Sequence, residues 1–169
     1  MTPEPEPPGA TYRVQLGPGF GFDDAARLTP QLADLGVTHL YASPVLQAAA
    51  GSTHGYDVVD HRRLSSDLGG AEAYARLCTA LDAAGLGQVL DIVPNHMAIA
   101  DAGNAWWWDV LENGPSSQYA SYFDVDWDPP EEKLRDRVLL PYLEDHYGRV
   151  LEAGGIRLEH HHGGFVVQA

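Results

Sequence analysis

The chain has 169 residues, enough to build one domain around a hydrophobic core. Its formal net charge is −14, from 24 acidic against 10 basic residues, which argues against nucleic acid or an anionic membrane surface as a partner, because both require clustered cations. No window approaches the roughly 18 apolar residues of a membrane span, and Met1–Gly9 lacks the regions of a signal peptide. With Cys78 as the only cysteine, we expect a cytoplasmic protein without internal disulfides.

The first half of the chain alternates predicted strands and helices. In chain order these elements are a strand over Thr11–Leu16, a helix from Asp23 or Asp24 to about Leu35, a strand over Val37–Ala42, a helix from about Gly70 to Ala84, and a strand over Gln88–Val93. This order predicts an α/β fold with a parallel sheet and right-handed crossovers.

The third predicted strand holds the most informative residues. Asp91 interrupts an otherwise apolar run, and a carboxylate there needs a partner. Pro94 ends the strand, and Asn95 and His96 follow where α/β enzymes bind ligands. The alternative is that Asp91 only bonds to neighbouring backbone while His96 is a solvated loop residue.

A long loop over Val45–Leu64 follows the second predicted strand, and the sequence predicts no secondary structure within it. Loops of that length in compact domains are usually functional. It carries His54, Tyr56 and Asp57. Since the carboxyl ends of parallel strands share one edge, we expect this loop to meet Asp91 and His96 there, with the Tyr56 ring either stacking on a sugar or filling the loop.

The second half of the chain does not continue this alternation. The predicted elements are a helix over Ala105–Leu111 capped by Asn104 and carrying Trp106, Trp107 and Trp108, a strand over Arg137–Leu140, helical turns over Tyr147–Ala153, and a hairpin of Ile156–His160 with Phe165–Gln168. At least one tryptophan should be core, and another either a sugar platform or also core. We expect a disordered lead-in at 1–10, a βαβαβ segment at 11–96 and an irregular subdomain from 97 to 169.

No metal or cofactor is expected. Neighbouring residues of a strand point to opposite faces, so His160, His161 and His162 cannot chelate one ion together. The other histidines lack metal-ligand spacing.

Two motifs resemble glycoside hydrolase family 13, the α-amylase family. Asp91–His96 is similar to its first signature region, and His54–Asp57 to its Gly-Tyr-Asp turn after the second barrel strand. Further stretches resemble the maltooligosyl trehalose synthase branch of that family: Tyr12–Leu16, Leu40–Pro44, Gly51–Asp57, Trp107–Gly114 and Phe123–Trp127.

The resemblance implies a TIM (β/α)8 barrel with a subdomain inserted after strand 3. It also implies a maltooligosaccharide substrate, whose reducing-end α-1,4 linkage is converted to α,α-1,1 by an intramolecular transglycosylase, an isomerase of trehalose biosynthesis. Tyr56 would stack under the sugar ring at the cleavage subsite and His96 would bond one of its hydroxyls. Asp91 would hold the site together, and His54 and Asp57 would shape the cleft wall. Asn95 matches a calcium ligand of many α-amylases, but nothing in the sequence places calcium here.

The family's nucleophile and acid/base lie at later barrel strands, beyond residue 169. The chain is therefore expected to be strands 1–3 of a larger monomeric enzyme, with no catalytic residue and no activity of its own. Three alternatives are a fragment of an α-amylase-type hydrolase, a fragment of a maltooligosyl trehalose trehalohydrolase, and a non-catalytic carbohydrate-binding module.

Overall fold

The computed structural model describes residues 7–140, 143–161 and 163–168. Most of the predicted lead-in at 1–10, and His162 of the histidine triplet, lie outside these ranges. The chain divides into two compact units between Asp109 and Val110. The predicted division at 96/97 stays a prediction.

The first unit contains a three-stranded parallel sheet, a two-stranded antiparallel sheet and two long helices. The strands and helices of the described residues are β1 (Thr11–Val14), α1 (Phe22–Asp34), β2 (His39–Ala42), β3 (Leu46–Ala48), β4 (Val58–Leu64), α2 (Gly70–Ala83), β5 (Gly87–Leu90), α3 (Ala105–Asn113), α4 (Tyr147–Glu152), β6 (Arg157–His161) and β7 (Gly164–Gln168).

The parallel sheet has the order β1-β2-β5, which confirms the predicted strand and helix alternation. The N-terminal start of α1 is fixed by Asp24, whose Oδ2 accepts the Gly21 backbone N–H at 2.9 Å. Gly36 ends the helix at φ 82°, a left-handed conformation that glycine adopts without a Cβ clash.

The core lies between one face of this sheet and the two helices. Leu40 of β2, Phe22 of α1 and Leu77 of α2 are fully buried in it, and Phe22 packs edge-on against Tyr74 with ring centroids 5.2 Å apart. The buried strand residues Val14, Leu40 and Ala42 alternate with residues that point the other way. Arg13 and Tyr41, in register with each other, therefore lie on the face opposite the helices.

The prediction that Val45–Leu64 is a loop without secondary structure is wrong. It contains the antiparallel pair β3 and β4, joined by the segment at 49–57. The pairing is irregular, with register shifts on both sides of Gln47, and Gln47 is buried while its Oε1 accepts from the Ser66 N–H at 2.9 Å. Because a polar residue, Gln47, occupies a buried position of β3, this strand lacks the alternation of apolar and polar residues by which a strand is predicted from sequence.

The third predicted strand is also shorter than expected. β5 ends at Leu90, opposite the last residue of β2, so Asp91 lies just beyond the strand and not within it. Leu90 is 40% exposed and Ile92 69% exposed, so the run is not buried on both faces. The far edge of β5 has no partner strand among residues 7–140, 143–161 and 163–168.

The start of α3 is fixed by Asn104, as predicted. Its Oδ1 accepts the Trp107 N–H at 3.0 Å, and its Nδ2 donates to the Ala98 carbonyl at 2.8 Å. This fully buried asparagine ties the helix to the segment before it.

The second unit contains few regular elements. The hairpin β6–β7 pairs His160 with Phe165, which confirms the predicted hairpin, and Gly163 in its turn has φ 84°. α4 matches the predicted helical turns. Residues 137–140 form no strand, and this prediction is wrong. The apolar neighbours of Cys78 along α2, which are Tyr74, Leu77 and Leu81, predict a core position for it, but this prediction is wrong, since Cys78 is exposed. No described helix is long and apolar enough to span a membrane.

Candidate functional site

The candidate site lies at the carboxyl ends of β2 and β5, where Asp91 follows the last strand residue. The Asp91 N–H donates to the Ala42 carbonyl at 3.0 Å, which prolongs the parallel pairing by one residue. Its side chain is only 17% exposed. The carboxylate accepts the phenol proton of Tyr56 through a short hydrogen bond and that of Tyr41 at 3.4 Å. Asp91 therefore has side-chain partners, as a carboxylate in this position requires.

Arg13 completes this cluster, and sequence reasoning did not identify it as a site residue. Its guanidinium donates to Tyr56 Oη at 3.1 Å and lies 3.9 Å from Asp91 Oδ2. It also stands over the Tyr41 ring, 5.6 Å from the centroid, and donates twice to Gln15 Oε1 at 3.1 Å. The sequence contained one signal for this cluster. Successive side chains of a strand point to opposite faces of the sheet, so Arg13 and Gln15, two positions apart, are expected on the same face.

The protonation of Tyr56 follows from these two contacts. Its hydrogen bond to Asp91 raises the pKa of the phenol, and this outweighs the lowering by Arg13. The hydrogen bond to Tyr56 in turn raises the pKa of Arg13. The phenol is therefore protonated at neutral pH, where it donates to Asp91 and accepts from Arg13.

The loop that carries Tyr56 is shaped by its neighbours. His54 Nδ1 accepts the Tyr56 N–H at 3.1 Å, and the two rings stack at 6.1 Å between centroids. Gly55 has φ 80°, and a Cβ there would lie 3.1 Å from the Pro44 carbonyl oxygen, so both conformation and space favour glycine. Asp57 accepts a short hydrogen bond from Ser52, whose Oγ accepts the Gly55 N–H at 3.0 Å.

His96 meets this loop as predicted. Its Nε2 lies 3.1 Å from the Tyr56 carbonyl oxygen, and its Nδ1 lies 3.1 Å from Asn95 Oδ1. Both partner atoms are acceptors, so a neutral imidazole donates to one of them at a time. The side chain is exposed, so an incoming hydroxyl group has access to it.

The structure thus brings Tyr56, Asp91 and His96 together. His54 buttresses the Tyr56 ring, whereas Asp57 bonds within its own turn and lies 3.8 Å from His54 Nδ1.

Asp60, which lies in β4, belongs to an ion-pair cluster separate from that of Asp91. Its partial burial raises its pKa, but the hydrogen bonds from Arg62 outweigh this and hold the pKa below its usual range. Arg63 adds a further ion pair at 3.1 Å. An ionised and doubly paired carboxylate is a poor general acid.

The three tryptophans of α3 have different surroundings. Trp107 is buried at 4% exposure, whereas Trp108 is 48% exposed and its Nε1 donates to the Asp101 carbonyl at 3.4 Å. Trp106 is half-buried, with the Arg62 guanidinium 5.4 Å from its ring centroid. One ring is therefore core, and Trp108 has the most accessible face for a ligand.

Asn95 lies next to His96, directly after Pro94. Its Oδ1 is within hydrogen-bonding distance of His96, and no group of three or more His, Cys, Asp or Glu side chains in the described part of the chain is arranged to hold an ion.

Comparison with known proteins connects this geometry to a family. The family model for the alpha-amylase catalytic domain matches residues 27–149. A protein described as a putative maltooligosyl trehalose synthase from Mycobacterium tuberculosis is 50% identical over 141 residues, which is 79% of this chain and 18% of that protein. The intracellular maltogenic amylase of Bacillus subtilis is 33% identical over 106 residues, 63% of this chain and 17% of that protein.

A solved structure is similar as well. The maltooligosyltrehalose synthase from Arthrobacter ramosus superposes with a TM-score of 0.80 at 45% identity, covering 90% of this chain and 19% of that one. The chain spans less than a fifth of the length of each of these three relatives.

Proposed function

The chain belongs to the α-amylase family of enzymes, whose catalytic domain is a TIM barrel, and we propose that it forms the sugar-holding N-terminal part of a maltooligosyl trehalose synthase. The observation that carries this proposal is the convergence of Tyr56, Asp91 and His96 at the carboxyl ends of neighbouring parallel strands. In barrel enzymes that edge carries the active site.

In this proposal β1, β2 and β5 are strands 1–3 of the barrel. Residues 11–96 form this first barrel segment, and residues 97–169 begin a subdomain inserted after strand 3. The far edge of β5, which pairs with no other described strand, is where the next barrel strand would add. We refer to the longer protein that would contain this chain as the full-length protein.

The proposed reaction is an intramolecular transglycosylation with retention of configuration. A carboxylate nucleophile displaces the reducing-end glucose of a maltooligosaccharide and forms a covalent glycosyl-enzyme, while an acid/base residue protonates the leaving oxygen. The released glucose then attacks through its anomeric hydroxyl, and the α-1,4 linkage becomes α,α-1,1. Both carboxylates would come from later barrel strands, so the 169-residue chain alone should not turn over.

The residues of this chain would hold the sugar during that reaction. The Tyr56 ring offers an apolar face for stacking, and its phenol is fixed by Asp91 and Arg13. His96 would exchange one of its two present acceptors for a sugar hydroxyl. His54 buttresses the Tyr56 ring, and Asp57 keeps the turn in shape. The cytoplasmic location and monomeric state stay predictions.

Product analysis tests this proposal. The full-length protein, incubated with maltohexaose, should remove reducing ends without releasing shorter sugars, because the linkage is moved and not hydrolysed. A matched reaction with the 169-residue chain should give no product. Release of glucose or maltose would instead support a hydrolase, an alternative favoured by the similarity to the maltogenic amylase. Saturable maltohexaose binding by the isolated chain would support a binding module if the full-length protein gave no turnover.

A further inference from the structure

We propose that Arg13 is a positioning residue, which sets the orientation of the Tyr56 ring by clamping its phenol oxygen against Asp91. This inference rests on the proposed function, in which Tyr56 stacks on the substrate. It concerns a residue of β1, whereas Tyr56 belongs to the loop before β4.

The first support is the geometry around the phenol oxygen. Tyr56 Oη donates to Asp91 and accepts from Arg13 Nη2 at 3.1 Å, so it is held from two sides. A phenol with a single partner can swing about that bond, whereas two partners, one on β1 and one just after β5, fix its position. Because the oxygen is at the end of the ring farthest from the backbone, fixing it also prevents the ring from swinging about the Cα–Cβ bond of Tyr56.

The second support is that Arg13 is itself held in place. Gln15 Oε1 accepts from both terminal nitrogens of its guanidinium at 3.1 Å. Gln15 Nε2 donates to the His54 carbonyl at 3.3 Å, within the loop that carries Tyr56. The Arg13 side chain also stands over the Tyr41 ring. This fork geometry requires a planar guanidinium, and a lysine ammonium cannot reproduce it.

The third support is the charge of the cluster. Arg13 lies 3.9 Å from Asp91 Oδ2, beyond hydrogen-bonding distance, so its direct hydrogen bond is to the phenol and not to the carboxylate. Its side chain is 40% exposed, which makes a purely structural ion pair a weak reason for its presence. The positive charge therefore acts on the site mainly through Tyr56.

A double-mutant cycle in the full-length protein tests the inference. Arg13→Met should lower kcat/KM on maltohexaose about 10- to 100-fold, the range expected when a binding group is misplaced, and Arg13→Lys should recover part of the loss. In a Tyr56→Phe background the phenol oxygen is absent, so Arg13→Met should add at most about a twofold loss. Arg76→Met is the control, since Arg76 makes a two-pronged ion pair with Asp23 at 2.8 Å away from the site and should leave kcat/KM unchanged.

Two results would overturn the inference while the proposed function stands. One is an unchanged kcat/KM for Arg13→Met. The other is a full, multiplicative loss in the Tyr56→Phe background, which would show that Arg13 acts on the substrate or the fold directly. Thermal melts of all variants show whether a lost rate reflects unfolding, and Arg13→Lys keeps the test informative if Arg13→Met does not fold.

Failure of the proposed function gives a different pattern. If the wild-type protein forms no non-reducing product, the same cycle is measured on the dissociation constant of maltohexaose, followed by tryptophan fluorescence. If the substitutions at positions 13 and 56 have non-additive effects on the free energy of maltohexaose binding, the inference is supported even though the reaction does not occur. Absence of any maltohexaose binding overturns both.

Discussion

Replacing Asp91 with alanine in the full-length protein should lower kcat/KM on maltohexaose by about 100-fold or more, the largest effect we expect from this chain. The carboxylate is mostly buried and accepts the phenol protons of Tyr56 and Tyr41. Its removal leaves both phenols without that acceptor and Arg13 without its nearest negative charge. Tyr56 would then lose one of the two contacts that hold its phenol oxygen.

The substitution Asp91→Asn distinguishes the effect of losing the negative charge from the effect of losing the side chain. It keeps the volume and one acceptor oxygen, so we expect a smaller loss of about 10-fold. Asp23→Ala is the matched control, because Asp23 is a half-exposed partner of Arg76 on α1 and should change kcat/KM by less than about twofold. Initial rates of reducing-end loss measure all variants. An Asp91→Ala rate equal to that of the control would contradict the role assigned to this carboxylate.

Phe22→Ala should produce the largest loss of stability, about 3–5 kcal/mol. The Phe22 side chain is completely buried where α1 meets α2, and its ring packs edge-on against Tyr74. Its removal costs the transfer energy of the ring and leaves a cavity between two helices and the sheet. Since whole domains are stable by only about 5–15 kcal/mol, much of the protein should fail to fold at growth temperature.

Leu35→Ala provides the comparison for this variant. Leu35 is apolar but 65% exposed just after α1, so its truncation should change stability by less than about 0.5 kcal/mol. The apparent melting temperature and the soluble yield report both variants. A Phe22→Ala protein that melts with the wild type would show that the core does not depend on this contact.

The helices of the first unit could be predicted because their information is local. In α1 and α2 buried residues recur at helical spacing, as at Ala73, Leu77 and Leu81, and glycine follows each helix. The parallel sheet then followed from the alternation of strands with helices. The pair β3–β4 escaped prediction because β3 has only three residues and because two polar residues, Gln47 and Asp60, lie opposite each other in an irregular register.

The position at which β5 ends, just before Asp91, depends on the neighbouring strand β2. β5 stops at Leu90 because its partner β2 stops at Ala42, and no pattern within residues 88–93 contains that information. The prediction that Asp91 needs a polar partner is confirmed. The partners are Arg13 of β1, Tyr41 of β2 and Tyr56 of the loop before β4, and the sequence did not identify Arg13 or Tyr41.

The candidate site shows the same limit. The meeting of Tyr56, Asp91 and His96 could be predicted, since strand ends converge in a parallel sheet. Arg13 could not be assigned to it, because its contact with Tyr56 joins residues 43 positions apart through side chains alone. Strand alternation indicates the face on which Arg13 lies, but not which loop closes over that face.

The most direct test of the proposed sugar-holding role is an exchange of segments. Residues 11–96 of this chain would replace the matching segment of the Arthrobacter ramosus maltooligosyltrehalose synthase, to which the chain is 45% identical. If this segment holds the sugar as proposed, the chimaera should form non-reducing product from maltohexaose, and Asp91→Ala within it should abolish most of that activity. A chimaera that melts cooperatively like the parent enzyme, yet hydrolyses maltohexaose or leaves it unchanged, would contradict that role.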